Sequence, residues 1–373
     1  FSDCYSLTKV VIPASVTSIA TRAFYHLPRK IDKIADNSKK TPSISSIEWQ
    51  SDDQAGKRVI WSGAFQGNTA VTKIVLPDTK KDELDIRAYA FSYDKALKVI
   101  KGNNTEDNVL PDTILNLSKG VFYRCSALPS IVVQNIEGKE ESPVLGDYLF
   151  EHCTAMKKAT LPASIREIPK HCFYNVPLTS YSIGAENEGE VEKISKIGNL
   201  AFLGNAFKTV DLSAYTGLSE IGAGAFAYID AVNEKGEEGQ NSKIYNNPFS
   251  ISKAGGQIQK VILPDALNKE INESGALYLN SAPFYGNFYM TTLTTTEALE
   301  KYTEKGVKDG VFYVPSYLTI HDARAVFAAT AVSKTIWQVD IDPSVEKENQ
   351  WKDIPMLLYA NCFMIKDSKD VLP

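Results

Sequence analysis

The chain has 373 residues, 43% of them hydrophobic, with 45 acidic against 40 basic residues and a net charge of −5. That balance argues against non-specific binding to nucleic acid or to an anionic membrane. No stretch reaches the roughly 18 apolar residues needed to cross a bilayer. One compact core would be unusual at this length, whereas a stack of repeats grows its core along one axis.

From the first residue onward, phenylalanine recurs with an aliphatic residue five positions before it. The pairs are Ile19/Phe24, Ile60/Phe65, Ile86/Phe91, Leu117/Phe122, Leu145/Phe150, Ile168/Phe173, Ile197/Phe202, Ile221/Phe226, Ile244/Phe249 and Leu279/Phe284. Phe1 falls in the same series with its partner cut off. The chain is therefore expected to be a fragment or processed product, with targeting, including a lipid anchor, left to the missing N-terminus.

About six residues after each phenylalanine comes another apolar side chain (Leu7, Leu97, Leu128, Met156), then a short alternating run. Residues 9–12, 73–76, 130–133 and 260–263 read as strands with every second residue apolar. Pro13, Pro77, Pro162 and Pro264 close such runs, as suits a residue that cannot donate to a ladder. The shortest units span 23 residues, from Phe1 to Phe24 and from Phe150 to Phe173. One strand per unit of that length predicts parallel strands stacked into a continuous sheet, with irregular or 3-10 turns on the opposite face. Insertions at residues 80–84, 101–108, 134–142 and 184–192 follow the strand and precede the next pair, so they should project from one edge. The unit after Phe226 shows no clear strand before Phe249. Glycine-bearing acidic stretches at residues 186–190 and 233–239 read as solvated loops or as a clustered cation site, although they lack the spacing of a calcium loop.

Cys4, Cys125 and Cys153 each lie three residues after a repeat phenylalanine, a slot that holds Leu27, Val176 or Asn205 elsewhere. They read as buried thiols, and no CxxC or HxxxH spacing supports a metal site. His26 and His152 fall two residues after a phenylalanine and His171 two before one, while His321 stands apart. These are turn positions, with no nucleophile beside them at recognisable spacing. No phosphate-binding glycine motif occurs.

The unit resembles the BspA-type leucine-rich repeat family. The resemblance is clearest from Phe1 through Cys4 and Leu7 to Pro13 and Val16, and from Phe150 through Cys153 to Pro162 and Ile165. It implies a leucine-rich-repeat right-handed superhelix over residues 1–310, of about 11 units with the first truncated. Residues 311–373 would then form a C-terminal capping segment. Within that segment, residues 310–315, a short helix at 321–331 and residues 351–354 look like the ending of such a solenoid.

Alternation assigns the outward strand face to Lys9, Val11, Lys73, Val75, Ser130, Val132, Lys158, Thr160, Ser182, Asp211, Lys260 and Ile262. Ser180, Thr209, Thr292 and Thr294 continue the same strip. A long, shallow face suits a protein or an extended polymer better than a small molecule. The expected function is an extracellular adhesion or protein-binding module of bacterial type, secreted or held at the cell surface, that engages a protein or glycan ligand. No catalysis, cofactor, metal, nucleic acid or membrane insertion is expected. A structural spacer is the alternative, and an enzyme with a loop-built site a more distant one.

Overall fold

The computed structural model describes residues 1–2, 4–26, 44–51, 56–78, 82–136, 143–162, 164–183, 194–228, 256–280, 283–287, 289–290, 292–304, 311–315, 317–320 and 336–339. Two compact units are present. The first comprises Phe1–Ile165 with Pro169–Glu190, the second Arg166–Ile168 with Val191–Pro373.

In the first unit the strands are β1 (Lys9–Ile12), β2 (Ser18–Ile19), β3 (Ser46–Trp49), β4 (Gly56–Ile60), β5 (Lys73–Leu76), β6 (Asp82–Ile86), β7 (Val99–Gly102), β8 (Ile114–Leu117), β9 (Ser130–Val132), β10 (Val144–Leu145) and β11 (Lys158–Leu161). Next come β12 (Glu167–Ile168), which belongs to the second unit, and β13 (Ser180–Ile183). The odd-numbered strands form parallel ladders in the orders β1-β3-β5-β7 and β9-β11-β13. Their alternate side chains turn inward, as in β5, where Ile74 and Leu76 are buried and Lys73 is exposed.

A second parallel ladder, β2-β4-β6-β8-β10, runs along the return side. It adds to the turns expected there, because the aliphatic residue five before each phenylalanine sits in it. Two of its strands, β2 and β10, are only two residues long, too short for alternation to show in the sequence.

The insertion at 101–108 does not project as expected. Lys101 and Gly102 complete β7, and the chain turns back so that the Ile100 N–H donates to Asn108 Oδ1 at 3.1 Å. Val109 then bridges Val132 in parallel. An asparagine side chain standing in for a strand partner lets this loop join the wall. Likewise residues 82–84 of the insertion at 80–84 lie in β6 and pair with β4 and β8. Residues 137–142 and 184–193 lie outside the described residues.

The second unit contains β14 (Lys196–Ile197), β15 (Thr209–Asp211), β16 (Glu220–Ile221), β17 (Lys260–Leu263), β18 (Leu277–Leu279), β19 (Thr292–Thr295), α1 (Thr296–Glu304), β20 (Val311–Val314), β21 (Leu318–Ile320) and β22 (Ile336–Val339). Its ladders are β15-β17-β19-β20-β22 and β12-β14-β16-β18-β21. Phe226 stacks directly on Phe284 with ring centroids 6.0 Å apart, so no coil intervenes between them. The pair Ile244/Phe249, the segment 229–255, the helix expected at 321–331 and residues 351–354 lie outside the described residues.

Turn geometry explains why phenylalanine marks the repeat. In the first unit, the N–H groups at the phenylalanine and at the residues two before and two after it donate to carbonyls of the next coil. Arg22, Phe24 and His26 donate to Ser62, Ala64 and Gln66, and Tyr148, Phe150 and His152 donate to Lys170, Cys172 and Tyr174. The intervening N–H groups close the turn within their own coil, as Ala64 does to Trp61 and Gln66 to Gly63. This alternation places the residues two before and two after the phenylalanine in the left-handed region, including Tyr89, Tyr93, Arg124, Tyr148, His152, His171 and Asn175. Such backbone costs about 1 kcal/mol or more at a non-glycine residue and persists because the coil-to-coil bonds fix it. With coils held about 4.8 Å apart, the rings have room only to stack. From Phe1 through Phe24, Phe65, Phe91, Phe122 and Phe150 to Phe173, centroids are 5.0–5.8 Å apart and planes lie within 2–14°.

Three residues after the phenylalanine lies a slot that satisfies backbone from inside. Cys125 and Cys153 donate their thiols to the carbonyls of Phe91 and Phe122, at 3.1 and 3.2 Å. Asn287 donates to Phe226 and Phe284, both at 2.9 Å. Burial pushes the thiols of Cys125, Cys153 and Cys172 well up, so they remain protonated donors rather than reactive thiolates. Asp94 fills the same slot, fully buried, with Oδ1 accepting the Asn68 N–H at 2.8 Å. Burial raises its carboxyl well above the usual carboxylate range, against the lowering effect of the Asn68 and Gly67 N–H bonds.

Three outcomes follow from this core. Phe122→Ala should lower the unfolding free energy by about 3–5 kcal/mol, read as a fall in the urea midpoint. Gly146→Ala removes nothing, yet its Cβ would lie 2.4 Å from the Lys119 backbone nitrogen, so it should cost about 1–3 kcal/mol. Because the folded-state pKa of Asp94 is raised, its stabilising contribution is full below about pH 4 and is lost as pH rises through the folded value. Asp94→Asn should therefore melt higher than wild type at neutral and alkaline pH, with the gap closing below about pH 4. A gap independent of pH would show that Asp94 is not the titrating group.

Candidate functional site

The expected outward residues do line up in rows. Register places Lys9, Ser46, Lys73 and Val99 side by side, and Val11, Glu48, Val75 and Lys101 in the row beside them. In β9, β11 and β13 the corresponding rows are Ser130, Lys158, Ser180 and Val132, Thr160, Ser182. Lys9, Val11, Lys73 and Lys158 are exposed, and Val75, Ser130, Val132 and Thr160 are half-buried. In the second unit Thr209, Lys260 and Thr292 share one row and Asp211, Ile262 and Thr294 the next. Thr209 and Asp211 are exposed, and Lys260 and Ile262 half-buried.

Thr292 and Thr294, expected to face outward, are instead buried. β19 is paired on both sides by β17 and β20, and α1, which starts directly after it, packs against β19 and β20.

Sequence reasoning missed Ser46, Glu48, Val99 and Lys101. The signal was present as alternation, with Ile47 and Trp49 buried in β3. Residues 27–43, however, had moved β3 away from its usual distance after Phe24, and β7 runs into the insertion at 101–108.

Immediately before these strands lies a row of hydroxyls and lysines. Ser45 Oγ donates to the Thr8 carbonyl at 2.9 Å, Thr72 Oγ1 to Ser45 at 3.1 Å and Thr179 Oγ1 to Lys157 at 3.1 Å. Lys98 and Lys157 occupy the same row and are exposed. The acidic residue on the face, Glu48, pairs with Lys9 at 3.3 Å, and Asp107 at its margin pairs with Lys101 at 3.7 Å. Lys73, Lys98, Lys157 and Lys158 have no acidic partner among the described residues.

The histidines meet a carboxylate at the turns. Buried Glu151 lies between His171, whose Nδ1 is 3.1 Å from Oε2, and His152, whose Nε2 is 3.6 Å from Oε1. His171 stacks on Tyr174 at 4.8 Å, and Asn175 Nδ2 lies 2.9 Å from His152 Nδ1. These contacts join adjacent turns and hold the left-handed residues in place. Among the described residues, no group of three or more His, Cys, Asp or Glu side chains could hold a metal ion. No described helix is long and apolar enough to cross a membrane.

Comparison with known proteins agrees with this geometry. A model of the BspA type leucine rich repeat region matches in six copies, over residues 1–109, 58–189, 116–255 and 190–301. No match was found among curated proteins. Among solved structures, the pneumococcal vaccine antigen PcpA is similar at 15% identity over 94% of this chain and 82% of its own, with a TM-score of 0.38. A leucine rich cell surface protein of Faecalibacterium prausnitzii A2-165 is similar at 14% identity over 93% and 90%, with a TM-score of 0.36. The T. pallidum leucine rich repeat protein is similar at 20% identity over 49% and 75%, with a TM-score of 0.33. With a family match spanning most of its length and the parallel ladders each coil builds, this chain belongs to the BspA-type leucine-rich repeat family.

Proposed function

We propose that this chain is a non-enzymatic binding module, secreted or held at the cell surface, that presents its strand face to a protein or glycan ligand. The observation that carries this reading is the pair of in-register outward strips of lysine, hydroxyl and aliphatic side chains, one on β1-β3-β5-β7 and one on β9-β11-β13. The inner strands of those ladders are paired on both sides, so contacts there would be made by side chains held in fixed rows. Such a surface loses little conformational freedom when a large ligand lies along it. The second unit supplies Thr209, Asp211, Lys260 and Ile262 in the same manner. Residues 1–310 are proposed as the solenoid and 311–373 as its closing segment, a division supported by family matches that end at residue 301.

The test is a screen of the intact chain for saturable binding to extracellular matrix proteins and mucin-type glycans by biolayer interferometry. Val75→Glu, in the middle of the strand face, should weaken any binding found by about tenfold or more. Val144→Glu, on the second ladder and 67% exposed, should leave it unchanged. Binding that responds to Val144→Glu and not to Val75→Glu would move the site off the strand face. A full panel without saturable binding would favour a spacer role.

A further inference from the structure

The strand face of the first unit carries charge opposite to that of the whole chain. The outward rows and the row before them hold Lys9, Lys73, Lys98, Lys101, Lys157 and Lys158 against Glu48, with Asp107 at the margin, in a protein of net charge −5. The Lys9–Glu48 and Lys101–Asp107 pairs are solvent-exposed, with Glu48 at 41% and Asp107 at 62% side-chain exposure. Such pairs hold their partners weakly and exchange readily for another anion. The remaining four lysines have no acidic partner among the described residues.

The cations also recur along the face. Lys9 and Lys73 share a row on strands separated by β3, which puts them about 10 Å apart at the usual strand spacing. Lys98 and Lys101 extend the series at the next coil, and Lys157 and Lys158 resume it on β11 between the hydroxyls of Ser130 and Ser180. The rows contain no Trp, Tyr or Arg, the side chains that anchor protein–protein hot spots. They also lack the aromatic platforms on which nucleic-acid bases stack and the guanidinium forks that clamp phosphate. What remains is a ribbon of point charges and hydroxyl groups interspersed with valines.

We propose that this ribbon binds a linear acidic polysaccharide, its carboxylates or sulfates seated on Lys73, Lys98, Lys157 and Lys158 and its hydroxyls on the intervening serines and threonines. The inference rests on the strand face being the ligand surface and narrows that ligand to one chemical class. A polymer that repeats its charge along a line can engage one coil after another, and the affinity then accumulates over weak contacts.

The experiment is a titration of the intact chain with polygalacturonate, which bears carboxylates, and with heparin, which bears sulfates. Neutral dextran, poly-glutamate and duplex DNA serve as competitors. The expected result is saturable binding to one or both acidic polysaccharides, no effect of dextran, and clearly weaker competition by poly-glutamate and DNA at equal charge. Affinity should fall steeply as salt is raised through the physiological range. The triple variant K73E/K98E/K158E should bind about tenfold or more weakly, while Lys119→Glu, on the turn side, binds as wild type; all four positions are solvent-exposed, and circular dichroism confirms folding.

Absence of binding to both acidic polysaccharides overturns the proposal, as does a triple variant that binds unchanged. Poly-glutamate or DNA competing as well as the polysaccharides overturns it too, because the ribbon would then read charge alone. A matrix protein bound through Val75 with no polysaccharide binding would remove this inference and leave the strand-face reading standing.

Discussion

The structure depends on the hydrogen bonds that run from one turn to the next. Three N–H groups around Phe24, Phe65, Phe91, Phe122, Phe150 and Phe202 donate forward to the following coil, while intervening residues close their own turn. No turn can satisfy its backbone alone, so each coil is complete only when its neighbour is present, the condition that makes repeat stacks cooperative. Ring stacking at 5.0–5.8 Å follows from the coil spacing set by those bonds. Phenylalanine suits the slot because a flat ring can fill the gap between coils without displacing either.

The same constraint accounts for polar groups in a place that would otherwise be apolar. Several phenylalanine carbonyls accept a side-chain donor besides the N–H of their own turn. Cys125, Cys153 and Asn287 supply one from a common slot. What resembles a scattering of reactive thiols includes two, Cys125 and Cys153, that donate to backbone carbonyls, and burial is what raises the thiol pKa. Lysine gathers on the outer rows of the first unit although the chain as a whole is acidic.

Much of this architecture was legible because the spacing between Ile19 and Phe24 recurs in every coil. Alternation in 9–12, 73–76 and 260–263 was enough to sort inward from outward side chains. Where it failed, the cause was a contact outside the local pattern. Thr292 and Thr294 obey the alternation of the rows beside them, but the chain continues into a helix that packs on the strand. The loop at 101–108 joined the wall through the side chain of Asn108, which no periodicity could announce. The return ladder escaped notice at its two ends because two residues, as in Ser18–Ile19 and Val144–Leu145, are too few to define a period. Ser46, Glu48, Val99 and Lys101 were missed for a different reason, since counting from the preceding phenylalanine breaks down when an insertion comes first.

Phe226 and Phe284 lie 58 positions apart in sequence yet meet at 6.0 Å, closer to the spacing of coils 23 residues long than to anything their separation suggests. The stack is indifferent to how much chain leaves and returns between two rings, since closing a longer loop costs only about 0.6 kcal/mol per doubling of its length. Material can thus be grafted into a coil without disturbing the register of its neighbours. Such a scaffold can change what it carries at its margins while the strand rows stay in place, so the two can evolve on separate schedules.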